Sequence, residues 1–201
     1  MKTFIFKIAF FLALTAATPQ LASAAMSPLS LAVVPGIQFP SEEYTVTGAR
    51  LSLLWGRHHG VYGLDFGVLG NVTDQKFNGI ALSGLFNLTN GDTTIIALQF
   101  AGLTNVNTSK THVFGLQLAA IANINRAESE VAGLQLALVN LSSFTKVYGF
   151  QIGLYNTALD VYGLQIGVVN VAKNLHGVQI GVCNINETGL FYVAPILNIG
   201  F

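Results

Sequence analysis

One short phrase recurs along this chain: a Gly or Ala, an apolar residue, usually Gln, another apolar residue, a Gly or Ala, and then an Asn. The clearest copies are Gly149-Phe150-Gln151-Ile152-Gly153 closing on Asn156, Gly163-Leu164-Gln165-Ile166-Gly167 closing on Asn170, and Gly177-Val178-Gln179-Ile180-Gly181 closing on Asn184. Weaker copies open at Gly133, Gly115, Ala97, Gly79 and Gly63. Gly48-Ala49-Arg50-Leu51 reads as a founder copy, and an eroded ninth runs from 191 to 198. Steps between anchors from Gly63 to Phe191 are 16, 18, 18, 18, 16, 14, 14 and 14 residues. Each step holds one strand and one turn, far less than a two-helix repeat needs.

Within a copy the period is two: Leu164, Ile166 and Val168 alternate with Gly163, Gln165 and Gly167. One face is greasy and the other small or polar. Glycine every four residues excludes helix, at about 1 kcal/mol each relative to Ala.

Residues 1–24 read as a signal peptide: Lys2 and Lys7 flank an apolar run, and Ala22-Ser23-Ala24 supplies the small residues of a cleavage site. Residues 25–45, punctuated by Pro28, Pro35 and Pro40, read as an N-terminal segment and linker, and 46–201 as the repeat domain. Without Lys2 and Lys7, seven basic residues face nine acidic ones, a net charge of −2 that offers nothing to nucleic acid. Cys183 is the sole cysteine and occupies a packing slot of the repeat. Charge collects between the copies, at Asp74, Lys76, Asp92, Lys110, Arg126, Glu128, Glu130, Lys146, Asp160, Lys173 and Glu187, whereas the phrases hold only Arg50 and Asp65. A half-wet soluble sheet normally puts Lys, Glu and Thr on its second face.

Two all-β architectures fit. The first is an antiparallel meander closed into a roughly ten-stranded outer-membrane β-barrel, its strands long enough to cross the hydrocarbon layer at a tilt. The Leu/Ile/Val face would then meet lipid, and Tyr62, Phe114, Tyr148 and Tyr162 would sit at the interfaces. Gln99, Gln117, Gln135, Gln151, Gln165 and Gln179 would ring the lumen or an exposed face, with Arg50 and Asp65 placed to pair. Val193, Leu197, Ile199 and the final Phe201 resemble the C-terminal signal read by barrel-assembly machinery, so that machinery and outer-membrane lipid are the expected partners.

The alternative is a parallel β-solenoid, in which each copy is one coil and the Asn and Gln residues form ladders. All eight steps from Gly63 onward are even. In hairpins, even steps keep like residues on one face only with odd-length turns, a restriction a solenoid does not have. An Asn eight residues after the anchor in copies from Gly63 to Gly115, but seven from Gly133 onward, suggests a β-bulge in the early strands.

The phrases Val-Tyr-Gly-Leu-Gln-Ile-Gly-Val-Val-Asn (161–170), Gly-Ala-Arg-Leu-Ser-Leu-Leu-Trp-Gly-Arg (48–57) and Ala-Pro-Ile-Leu-Asn-Ile-Gly-Phe (194–201) resemble a family of bacterial surface repeat-containing proteins, known mainly from spirochaetes and other double-membraned bacteria. The resemblance implies export to the outer membrane or cell surface and implies no activity.

A search for chemistry finds no paired-carboxylate site, nucleophile elbow, phosphate loop or HExxH helix. His58-His59 lacks ligand neighbours at metal spacing and reads as a solvated turn. His112 and His176 read as interfacial aromatics. No catalytic, metal or cofactor residue is expected. The expected role is structural or surface presentation, the alternative a solenoid binding a glycan or protein along its Gly/Gln face.

Overall fold

The structure, a computed structural model, describes residues 25–201, so the expected signal peptide lies outside the described residues. Successive copies stack in parallel. Gly149 pairs with Gly163 and Gly163 with Gly177, Gln151 with Gln165 and Gln165 with Gln179, Asn140 with Asn156 and Asn156 with Asn170. Each residue lies over its equivalent in the next coil, and the whole is a parallel β-solenoid of about ten turns.

The barrel expectation is overturned. The sheet is open, running from the hairpin of Met26–Val34 and Ile37–Phe39 to the strand Val193–Gly200 at the far end. Even steps bring like residues into register only if the chain advances by whole coils, and that condition governs the fold. With no barrel to assemble, the ground for barrel-assembly machinery as a partner goes.

Each coil has two strands and two corners. In wide coils the strands are separate, as in Thr111–Ala119 and Ala122–Asn125. In 14-residue coils the Asn-bearing strand continues into the next coil's Gln-bearing one, as in Tyr155–Ile166. The sharp corner between them is a small residue followed by an apolar one, such as Gly153-Leu154 or Gly167-Val168. The extra residue of the early copies lies at this corner rather than within a strand. Pairing runs through Leu118 with Leu136 and resumes at Ala122 with Val139, leaving three residues on one side and two on the other.

The founder copy is a full coil, with Ala49, Arg50 and Leu51 opposite Leu64, Asp65 and Phe66. Residues expected as linker add a further parallel strand, since Ser30 pairs with Arg50, and then fold back through antiparallel Ile37–Phe39 without completing a coil. The eroded ninth copy is not a coil. Val193–Gly200 reverses and pairs antiparallel, Gly200 opposite Gly177, covering the last parallel edge.

The anchor glycines have a steric cause. Gly163 has φ +144°, and a Cβ there would overlap the carbonyl oxygen of Gly149 in the coil before it. Only a residue without Cβ permits this φ and this approach. Ala97 occupies the same slot at φ +75°.

Candidate functional site

The side-chain distribution is inverted relative to an ordinary globular core. A row of apolar residues is buried beside the charged edge, among them Val46, Phe77, Ile95, Val113, Val147, Val161 and Leu175. Amide side chains are the largest group in the remaining interior. All six expected Gln residues are fully buried, and each later Nε2 donates to the Oε1 of the one before, from Gln117 to Gln99 through Gln179 to Gln165, at 2.6–2.8 Å. They line neither a lumen nor an exposed face, so the Gly/Gln face cannot receive a glycan or a protein. A coil this narrow brings the opposed strands within one side chain of each other: Gln117 Nε2 reaches Asn125 Oδ1 at 3.2 Å.

The repeat's Asn residues form a second ladder, whose Nδ2 groups donate toward later coils. Seven bonds of 2.8–3.0 Å link Asn71, Asn87, Asn105, Asn123, Asn140, Asn156, Asn170 and Asn184. From Asn71 to Asn170 each Nδ2 also donates to the carbonyl preceding the next coil's corner, for example Asn140 to Ile152 and Asn156 to Ile166, both at 2.9 Å. Each ladder ends on an acceptor without a donor, Asn71 Oδ1 at one end and Gln179 Oε1 at the other.

Arg50 and Asp65 do pair, in the slot that Gln fills in later coils. Arg50 Nε donates to Asp65 Oδ1 at 2.7 Å, Nη2 donates to Oδ2, and Nη1 donates to the Val72 carbonyl at 2.7 Å. Burial pushes the Asp65 carboxyl up from its ordinary value, while the charge and hydrogen bonds of Arg50 oppose that rise. His58 is not a solvated turn residue: its side chain is fully buried, with Nε2 3.1 Å from Ser30 Oγ. Desolvation, then the nearby Arg50 charge, lower its pKa to about 4. His59 points outward, as alternation requires.

With polar groups inside, the apolar residues are outside. On the Gln-bearing sheet two outward rows run along the coil, one including Leu64, Leu116, Phe150 and Leu164, the other Phe66, Phe100, Leu136 and Ile180. The corner adds Leu54, Leu85, Leu103, Ile121, Leu138, Leu154, Val168 and Val182, all exposed, Leu154 at 55% and Val182 at 72%. Beyond the corner, the Asn-bearing sheet presents Leu88, Val106, Ile124, Leu141 and Val171. Arg57, paired with Asp74, is the charged member of that last row, in an early coil.

The opposite edge carries the charge, with Lys146 3.8 Å from Asp160 and His112 3.5 Å from Glu130. His112 therefore belongs to the charged row. Between edge and apolar rows runs an aromatic stack, Tyr148 on Tyr162 at 4.8 Å and Tyr162 on His176 at 4.6 Å between ring centroids.

The candidate site is thus a flank: both outer sheet faces and the corner joining them. The repeat's period signalled which residues face outward, and what it missed was that the Gln face closes on itself. Among the described residues, no helix is long and apolar enough to cross a membrane, and no group of three or more His, Cys, Asp or Glu could hold a metal ion. Comparison with family models, curated proteins and solved structures finds no match.

Proposed function

We propose that this chain is a non-catalytic, exported surface protein of a double-membraned bacterium: a rigid β-solenoid that attaches to membrane lipid by its apolar flank and presents its charged edge to water. The observation that carries the reading is the segregation around each coil. Single exposed Leu or Phe residues are ordinary on soluble proteins, but contiguous apolar patches mark interaction surfaces. Here the exposed corner residues alone recur from Leu54 to Val182. The resemblance of the 161–170 phrase to bacterial surface repeats supports the location, and the N-terminal signal pattern supports export.

A structural role follows from the interior. The Gln and Asn amides that could recognise a ligand are bonded coil to coil, so the molecule's polar chemistry is engaged in holding the rod together. The charged corner is what remains for display.

Flotation tests the reading. The mature chain, mixed with phosphatidylcholine vesicles and centrifuged through a density gradient, is expected to rise with the lipid in both low salt and 1 M salt, where Coulomb attraction is screened within about 3 Å. A chain that stays at the bottom as a soluble monomer would refute it.

A further inference from the structure

We propose that the solenoid sits edge-on in a single lipid leaflet, with its axis parallel to the membrane, the corner row deepest and the aromatic row at the headgroups. This rests on the membrane reading above and adds depth and orientation to it.

Depth is the first argument. From Leu164 to the corner residue Val168 is four residues, about 13 Å at ~3.3 Å per residue. Half the hydrocarbon thickness of a bilayer is about 15 Å. Tyr162 lies two residues farther out, at about 20 Å from the corner, where amphipathic rings are favoured. On the other sheet, Lys173 lies five residues from the corner, at about 16 Å. The apolar wedge is as deep as one leaflet and too shallow to span two.

The backbone supplies the second argument, because a turn enters hydrocarbon only when its polar groups are bonded within the protein. At these corners the N–H groups and the carbonyl before the small residue are. The N–H groups of Leu154 and Tyr155 both donate to the Leu138 carbonyl, at 2.8 and 3.1 Å, and those of Val168 and Val169 both donate to the Leu154 carbonyl at 2.9 Å. The carbonyl before the corner is covered from inside by the Asn ladder, Ile166 by Asn156 Nδ2 at 2.9 Å. Asn therefore stands where it can seal a water-free edge.

Coverage decides between lipid and a second copy. A copy pressed against one sheet leaves the apolar rows of the other sheet in water, whereas a leaflet covers both sheets and the corner at once.

The chain holds one Trp and one Cys. Trp55 follows corner residue Leu54 near one end of the rod, and Cys183 follows Val182 near the other. Two depth probes therefore sit naturally at opposite ends of the deep row. The mature chain is bound to phosphatidylcholine vesicles, Trp55 emission is read with lipids brominated in mid-chain, and a nitroxide on Cys183 is read for collision with oxygen against a water-soluble nickel chelate. Expected are at least about twofold quenching of Trp55 and an oxygen-favouring nitroxide, both signatures of the hydrocarbon layer. A nitroxide placed by Lys173→Cys in a Cys183→Ser background is expected to favour nickel. Floated protein with either native probe in water overturns edge-on insertion while leaving membrane attachment standing. Failure to float removes the attachment itself, and a dimer that stays sealed against added vesicles overturns the leaflet in favour of a second copy.

Discussion

Asn156 Nδ2 donates to Asn170 Oδ1 in the next coil at 2.8 Å and to the Ile166 carbonyl at 2.9 Å. One amide thus ties two coils together and seals the strand end before a corner. Asn156→Ala removes both bonds and a third from Asn140 Nδ2, which keeps only the Ile152 carbonyl. At about 1 kcal/mol per buried bond lost, the expected cost is about 3 kcal/mol. Asn71→Ala, at the ladder end where no coil donates to Oδ1, is expected to cost less. Urea midpoints of the two variants check the order.

The anchor slot predicts opposite signs for two small changes. Gly163→Ala places a Cβ on the Gly149 carbonyl and is expected to destabilise by about 3 kcal/mol or more. Ala97→Gly relieves a non-glycine residue at φ +75° and is expected to stabilise by roughly 1 kcal/mol. Denaturant titration of the pair tests the steric account directly.

Removing one member of the buried ion pair should exceed replacing both. Asp65→Ala leaves the Arg50 guanidinium buried beside the Val72 carbonyl and Thr73 hydroxyl, at an expected cost of about 3–5 kcal/mol. The double change Arg50→Gln with Asp65→Gln substitutes the later coils' own solution and is expected to be milder. Thermal melts of the single and double variants decide the point.

His58 makes stability depend on pH. Its folded-state pKa of about 4 lies below the unfolded value of about 6.5, so the unfolded chain binds the extra proton between those limits. Its contribution is fully present above about pH 6.5 and falls as pH drops toward 4, by a few kcal/mol in all. His58→Gln is expected to flatten that slope, as read from urea midpoints at pH 7.5 and pH 5.

The facing of the strands was legible in the sequence, whereas their direction was not. Alternation put Gln165 on one side and Leu164 and Ile166 on the other, and the charges at Lys146 and Asp160 on an edge. A period of two says nothing about whether neighbouring strands run parallel. Even spacing pointed to stacked coils, but charge-free strands and an apolar chain end pointed equally to a barrel, because a rod with an apolar exterior shares both traits. The only signal for the reversal of the last strand was the erosion of the final copy, with Phe191 in the anchor slot that needs Gly, Val193 in the Gln slot and Pro195 in place of the second Gly. His58 was misplaced for a separate reason: founder and first copies share one long strand, Trp55–Gly67, so a pair that resembled a turn alternates into the core.

The central claim is that the exposed corner residues serve binding and not folding. The direct measurement is vesicle flotation together with urea stability for Leu138→Glu combined with Leu154→Glu, both exposed by half or more. The account predicts a midpoint within about 0.5 kcal/mol of the parent per site and loss of flotation, because surface changes away from packed groups cost little while a charge in hydrocarbon costs several kcal/mol. A double variant that still floats like the parent, or one that unfolds, would contradict it.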